Sequence, residues 1–330
     1  PKIDWILMGI FIVSHLIFFR GFFMNPGLVA GVLGGNLELK HTFKTIPGIT
    51  TWTQVTLLLA ALRGLRWAGI LPGKVKLISV FHLVLFGTLF IRAVLWSERL
   101  ALIEGVVPFF LCATPRLIRM TGKRGKFLLQ FFPLVVPILL LLVFTAFEFL
   151  RSWQSNASEH GNIFQFGWLR LFTYYFEAMN TGAATLQVTG FYETLTWPLS
   201  EKAYDEIFEG LYQGSLDIEF NNPSGIWYLA TLSGNVLFGP VLLALGLFYG
   251  VCWRSFREGK LLGLFFPINF MGLIEIIRIH YWAGDNRVLA STLFILLILV
   301  WAAILPGRLR LRRNQDVSAP VSPPATLYPR

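Results

Sequence analysis

About eight apolar runs, each roughly the length of a bilayer's hydrocarbon core, alternate with short clusters of arginine and lysine along this chain. That alternation restricts the fold more than any other feature. A membrane core about 30 Å thick needs roughly 18–20 consecutive apolar residues in a helix, and within it every backbone polar group must be satisfied internally. The composition agrees: 55% of the 330 residues are apolar, 14% are charged, and the mean hydropathy is +0.62. A soluble domain carries about 25% charge. The expected fold class is an all-α integral membrane protein with about eight transmembrane helices, at about 4–24, 47–63, 77–96, 99–115, 127–149, 225–253, 261–277 and 288–306.

The net charge of +10 does not indicate nucleic acid, because the cations lie between apolar runs rather than in one patch. Sixteen of the 28 fall in four connections: Arg63, Arg66, Lys74 and Lys76; Arg116, Arg119, Lys123, Arg124 and Lys126; Arg254, Arg257 and Lys260; and Arg308, Arg310, Arg312 and Arg313. Glu258 is the only acid among them. By the positive-inside rule these connections are cytoplasmic. The segment 151–223 carries three cations against nine acids and belongs outside. Both chain ends are then cytoplasmic. Residues 1–313 read as one transmembrane domain with a large outer loop between spans five and six. The Pro-, Ser- and Ala-rich residues 314–330 read as a disordered cytoplasmic tail. The first apolar run lacks a small-residue cleavage site where one would be expected and reads as a span, not a signal peptide. Cys112 and Cys252, each near an inner helix end, read as buried hydrophobes.

A 73-residue loop is too long to lack structure of its own. Two helices are expected in it. Over 168–180, Trp168, Leu171, Phe172, Tyr175, Phe176 and Met179 form one stripe, and Arg170, Thr173, Tyr174 and Glu177 the other. Over 200–212, Ser200 is the expected N-cap and Tyr204, Ile207, Phe208, Leu211 and Tyr212 the apolar side. The acidic polar face of this second helix favours a lid on the bundle over contact with anionic lipid.

Ionisable residues in or beside spans are costly, so their positions carry information. Four groups lie at outer helix ends: Arg92, Glu98, Arg99 and Glu104; Arg170, Tyr174 and Glu177; Glu275, Arg278, His280, Tyr281 and Arg287; and the turn Asn221–Gly225. Each also has a plain structural reading. Arg92 can snorkel to the interface, Arg170 can pair with Glu177 on a solvated face, Glu275 and Arg278 can neutralise each other, and His280 can be a hydrogen-bonded structural residue. Together they place several arginines on one side of the membrane, and the planar guanidinium fork suits phosphate. No Gly-rich phosphate loop, HExxH or CxxC is present. Asn156-Ala-Ser158 fits a glycosylation acceptor, a pattern that also arises by chance.

The passages IPGITTWTQ at 46–54, Arg92 to Glu104, WLRLFTYYFEAMN at 168–180, FNNPSGIWYLATLSGNVLFGP at 220–240 and EIIRIHYWAGDNR at 275–287 resemble the oligosaccharide repeat-unit polymerases, the O-antigen polymerase-like membrane glycosyltransferases of bacteria. Members of that family usually have ten or more spans. The resemblance implies transfer of a glycan from an undecaprenyl-diphosphate carrier to a sugar hydroxyl of another lipid-linked unit. The reaction would take place at the periplasmic face of the inner membrane with no cofactor or metal. It implies diphosphate binding by Arg92, Arg99, Arg170, Arg278 and Arg287, and the aromatic hydroxyls Tyr174 and Tyr281 are suited to stack on sugar rings or donate hydrogen bonds to substrate. Glu98, Glu177 and His280 are the candidates for the proton-accepting base. A chain-length regulator is the expected protein partner, beside the lipid-linked oligosaccharide and the bilayer. The same donor chemistry fits an O-antigen ligase-like transferase. A transporter or flippase of lipid-linked glycan would instead bury charge at mid-membrane and break helices in paired positions.

Overall fold

The computed structural model describes residues 2–304, except 34–44, 47, 74, 97–98, 152, 154–160, 193, 215–221 and 282–287. The described residues form twelve α-helices and no strand. These are α1 (Lys2–Phe18), α2 (Arg20–Met24), α3 (Pro26–Leu33), α4 (Val55–Ala68), α5 (Val80–Leu95), α6 (Arg99–Gln130), α7 (Phe132–Arg151), α8 (Ile163–Val188), α9 (Glu201–Gly214), α10 (Gly225–Arg257), α11 (Phe265–Glu275) and α12 (Leu289–Ile304). Short 3-10 turns, Thr50–Gln54 and Leu261–Leu264, lead into α4 and α11. Every apolar run falls on helix. Leu100–Gly122 and Gly225–Arg257 are long and apolar enough to cross a membrane, whereas Ile3–Phe18, Val80–Leu95, Leu261–Glu275 and Leu289–Val300 are apolar but shorter.

α4 is the central helix, with every residue from Val55 to Ala68 buried. Gly64 lets it approach α6 closely, since a Cβ there would lie 2.8 Å from that of Cys112 and nearer still to the Phe109 carbonyl. At its start, Ser291 of α12 accepts a hydrogen bond from the Leu58 amide (3.3 Å) and donates one to the Gln54 carbonyl (2.6 Å). At its end, Gly69 adopts φ +77° and returns its N–H to the Arg66 and Leu65 carbonyls, a left-handed cap that glycine takes without a Cβ clash. Arg116 and Arg119 of α6 donate to the carbonyls of Trp67 and Ala68, complementing the negative end of α4.

Two inner connections differ from expectation. Arg63 and Arg66 are not loop cations: α4 continues through them and buries both against Asp4 of α1. Arg66 grips that carboxylate with Nε (2.6 Å) and Nη2 (2.8 Å), and Arg63 Nε donates to His82 Nε2 (3.4 Å). The basic segment 116–126 is helical, because its arginines, lysines and leucine are good helix formers. The break comes only at Gly122 (φ 55°, ψ −135°).

α8 also departs from the expected pattern. It is twice the predicted length, and its aromatic stripe faces outward, with Trp168 50%, Phe172 39% and Phe176 62% exposed. Its inner face holds Phe166, Arg170, Tyr174, Ala178, Thr181 and Thr185. Two glycines permit this packing: a Cβ on Gly167 would strike Thr145 of α7, and one on Gly182 would strike Trp227 of α10. Glu148 meets Arg170 and Phe144 meets Tyr174, and Trp153, just past the end of α7, meets Phe166, so α7 and α8 run antiparallel. Around a mainly apolar core, other described residues show similar placements. Leu243, Leu247, Leu83 and Ile138 are more than half exposed, while Asp4, Glu104, Glu148, Arg170 and Glu275 are at most 9% exposed.

Candidate functional site

α11 ends in a tight turn in which the amides of Arg278 and Ile279 both return to the Glu275 carbonyl (2.8 Å each). Three residues apart on that turn, Arg278 Nε and Glu275 Oε2 pair at 2.7 Å. The turn sends side chains toward three neighbouring helices. The Arg278 guanidinium lies 6.0 Å from the centre of the Tyr174 ring on α8. Tyr281, fully buried, donates to Glu104 Oε1 of α6 at 2.8 Å. The His280 ring lies 5.1 Å from that of Tyr228 on α10. Tyr228 in turn meets Tyr204 of α9 at 4.7 Å and donates to Glu201 Oε1 at 3.4 Å. One helical turn before Tyr174, Arg170 Nε lies 3.4 Å from Glu148 Oε2 of α7.

α9 forms as its sequence directs. Ser200 caps it by accepting from the Ala203 amide (3.2 Å), and Tyr204 carries its apolar side onto α10.

Electrostatics distinguish the groups on the turn. Burial opposes the charge on Arg278, but the Glu275 carboxylate and its hydrogen bond outweigh burial and hold the guanidinium above its ordinary pKa. Among the described residues Arg278 hydrogen-bonds Glu275 alone, through Nε, which leaves the two terminal nitrogens for a ligand. Burial lowers the His280 pKa to about 4, so its imidazole is neutral at pH 7. A base that weak is poorly matched to neutral pH, and an anion held beside it would raise its proton affinity.

Among the expected site residues, the fold brings Tyr174, Arg278, His280 and Tyr281 around one turn, with Arg170 adjacent. Glu177 lies on α8 three residues beyond Tyr174, half-buried. Arg170 pairs with Glu148 rather than Glu177, because its stripe faces α7 and not solvent. Arg92 stands in a different contact set, 3.4 Å from Thr53 Oγ1 and 4.8 Å above the Phe18 ring. Glu98, Arg287, Asn156, the 314–330 tail and the side chain of Arg99 lie outside the described residues.

Two further acids at the site, Glu148 and Glu201, are not among the site residues expected from the sequence pattern. Glu148 carried a usable signal, an acid one turn from the end of an apolar span. Glu201 carries no such signal, since an acid in the first turn of a helix is favourable wherever it occurs. No protein-family model, curated protein or solved structure matches the chain.

Proposed function

We propose that the chain is an integral membrane glycan polymerase of about eight crossings. It moves an oligosaccharide from an undecaprenyl-diphosphate carrier to a sugar hydroxyl of another lipid-linked unit at the periplasmic face. One observation carries the reading: Arg278 is half-buried and held charged by Glu275, with terminal nitrogens unspent, beside Tyr174 and within two residues of His280. The bilayer part of the proposal is supported by two long apolar helices and by charged residues inside an apolar exterior.

In the reaction, the acceptor oxygen bonds to the anomeric carbon as the bond from that carbon to the phosphate oxygen breaks. The electron pair and the developing charge pass to the lipid diphosphate, where Arg278 stabilises them. Fixed donors of this kind cost no reorganisation when the charge forms. The hydroxyl proton passes to a base: Glu201, bonded to Tyr228, His280 on the turn, and Glu177, three residues beyond Tyr174 on α8, are the candidates.

Deleting the gene and analysing surface polysaccharide tests the proposal. Loss of polymer with accumulation of single lipid-linked units supports it. Polymer that forms normally but is not joined to lipopolysaccharide core would favour the ligase. The breaks in α6 at Gly122 and α10 at Gly234 (φ 69°, ψ 168°), with ion pairs buried among the helices, favour a transporter as the second reading. In liposomes holding the purified chain, movement of lipid-linked glycan without lengthening would decide for it.

A further inference from the structure

The geometry points to Ser224 and Gly225 as positioning residues that fix where the turn bearing Arg278 and His280 sits, an inference that rests on reading that turn as the site. Ser224 is the one non-glycine residue with positive φ among the described residues (φ 58°, ψ 131°), and it is fully buried. Strained backbone of this kind persists only where the surroundings over-determine it. The serine hydroxyl does not explain the strain. It does not cap the helix, and it reaches only the Met179 thioether, 3.6 Å away. The next residue supplies a reason. A Cβ on Gly225 would lie 2.8 Å from the Ile276 carbonyl oxygen and closer still to that of Ile279, so glycine lets α10 start directly against the turn. The Ile226 amide then donates to the Ile276 carbonyl at 3.1 Å, joining two backbones about fifty residues apart.

The same junction touches α8, since the Pro223 carbonyl lies against Gly182. It also begins the helical turn that carries Tyr228 to His280, with the Tyr228 amide returning to the Ser224 carbonyl at 2.9 Å. One kinked junction therefore sets the turn, the helix bearing Tyr174 and the ring beside His280 in one register. A shift of about 1 Å in such a register can cost about 100-fold in rate.

The test uses the full chain with Ser224→Gly, Ser224→Val and Gly225→Ala. It reads hydrogen exchange over residues 275–281 in purified protein and polymer formation in membranes. Glycine accepts the positive φ freely and a β-branched residue does not. Ser224→Gly should therefore leave both readouts as in the wild type. Ser224→Val and Gly225→Ala should raise exchange about tenfold or more and cut polymer formation about 100-fold, with protein abundance unchanged. Should Gly225→Ala fail to accumulate, the contrast between the two Ser224 variants decides. Unchanged exchange in Ser224→Val, or equal losses in Ser224→Gly and Ser224→Val, overturns the inference, the latter by showing that the hydroxyl itself acts. If the wild type builds no polymer, the polymerase reading falls while the exchange pattern still decides this one.

Discussion

Arg278, half-buried, and Arg170, buried, each lie beside a glutamate, yet they should respond differently to mutation. Arg278 sits on a turn, bonds its carboxylate through Nε alone and has its guanidinium carbon 6.0 Å from the centre of the Tyr174 ring. Arg278→Ala should abolish polymer ladders, a loss of about 10²–10³ in rate, and Arg278→Lys should not restore them because an ammonium lacks the two-pronged fork. Wild-type chain lengths in Arg278→Ala would remove the residue from the mechanism. Arg170 is matched to the fully buried Glu148 between two packed helices. Removing one partner strands a charge, at a cost of about 3–5 kcal/mol, whereas replacing both with apolar residues costs little. Arg170→Ala should therefore lower protein abundance, and Arg170→Ala with Glu148→Ala should recover it, as read by detergent-extracted yield. His280 adds a pH dependence. Its pKa falls from an ordinary 6.5 to about 4 in the fold, so between those values the unfolded chain binds more protons. Stability should rise with pH across that window and level above it, and His280→Gln should flatten the rise in a thermal-unfolding series.

Single positions govern how the elements meet. α4 is buried on all sides and meets α6 at Gly64 without room for a methyl group. Gly64→Ala should destabilise by about 1–3 kcal/mol through overpacking, seen as a lower unfolding temperature in detergent. Asp4 holds two guanidiniums of α4, so Asp4→Ala should release α1 and cost more than any exposed ion pair would. α8 shows how far an element can depart from its local pattern. Spacing alone divides it correctly into two stripes, but cannot say which one faces inward. With solvated surroundings the aromatic stripe would pack inside. With an apolar exterior and a carboxylate waiting on α7, the arginine stripe does.

At the scale of the molecule, an apolar core sits inside an apolar exterior, with a few charged pairs buried between the helices. Leucines of α10 face outward and ion pairs tie helices together within. The topology read from charge places the 151–223 segment outside and Arg257 inside. Tyr192→Cys, at a side chain 74% exposed, should react with a membrane-impermeant maleimide in intact cells. Arg257→Cys should react only after permeabilisation. The native thiols, Cys112 and Cys252, are buried and should contribute little background. Labelling of Arg257→Cys from outside would reverse the orientation and remove the turn of Arg278 from the periplasmic face.

Much of this protein is written in short-range order. Run length and composition locate the helices, Ser200 marks the start of α9, and the three-residue spacing of Glu275 and Arg278 contains their pairing. These features depend on neighbours within a turn or two, where periodicity is fixed by helix geometry. The pairings of Arg170 with Glu148, Tyr281 with Glu104 and Arg66 with Asp4 join residues 22, 177 and 62 positions apart. No local rule selects among the acids each could have met. Helix packing made the choice, because a buried charge must find its partner wherever the bundle presents one, and Gly64, Gly167, Gly182 and Gly225 determined which helices came close enough.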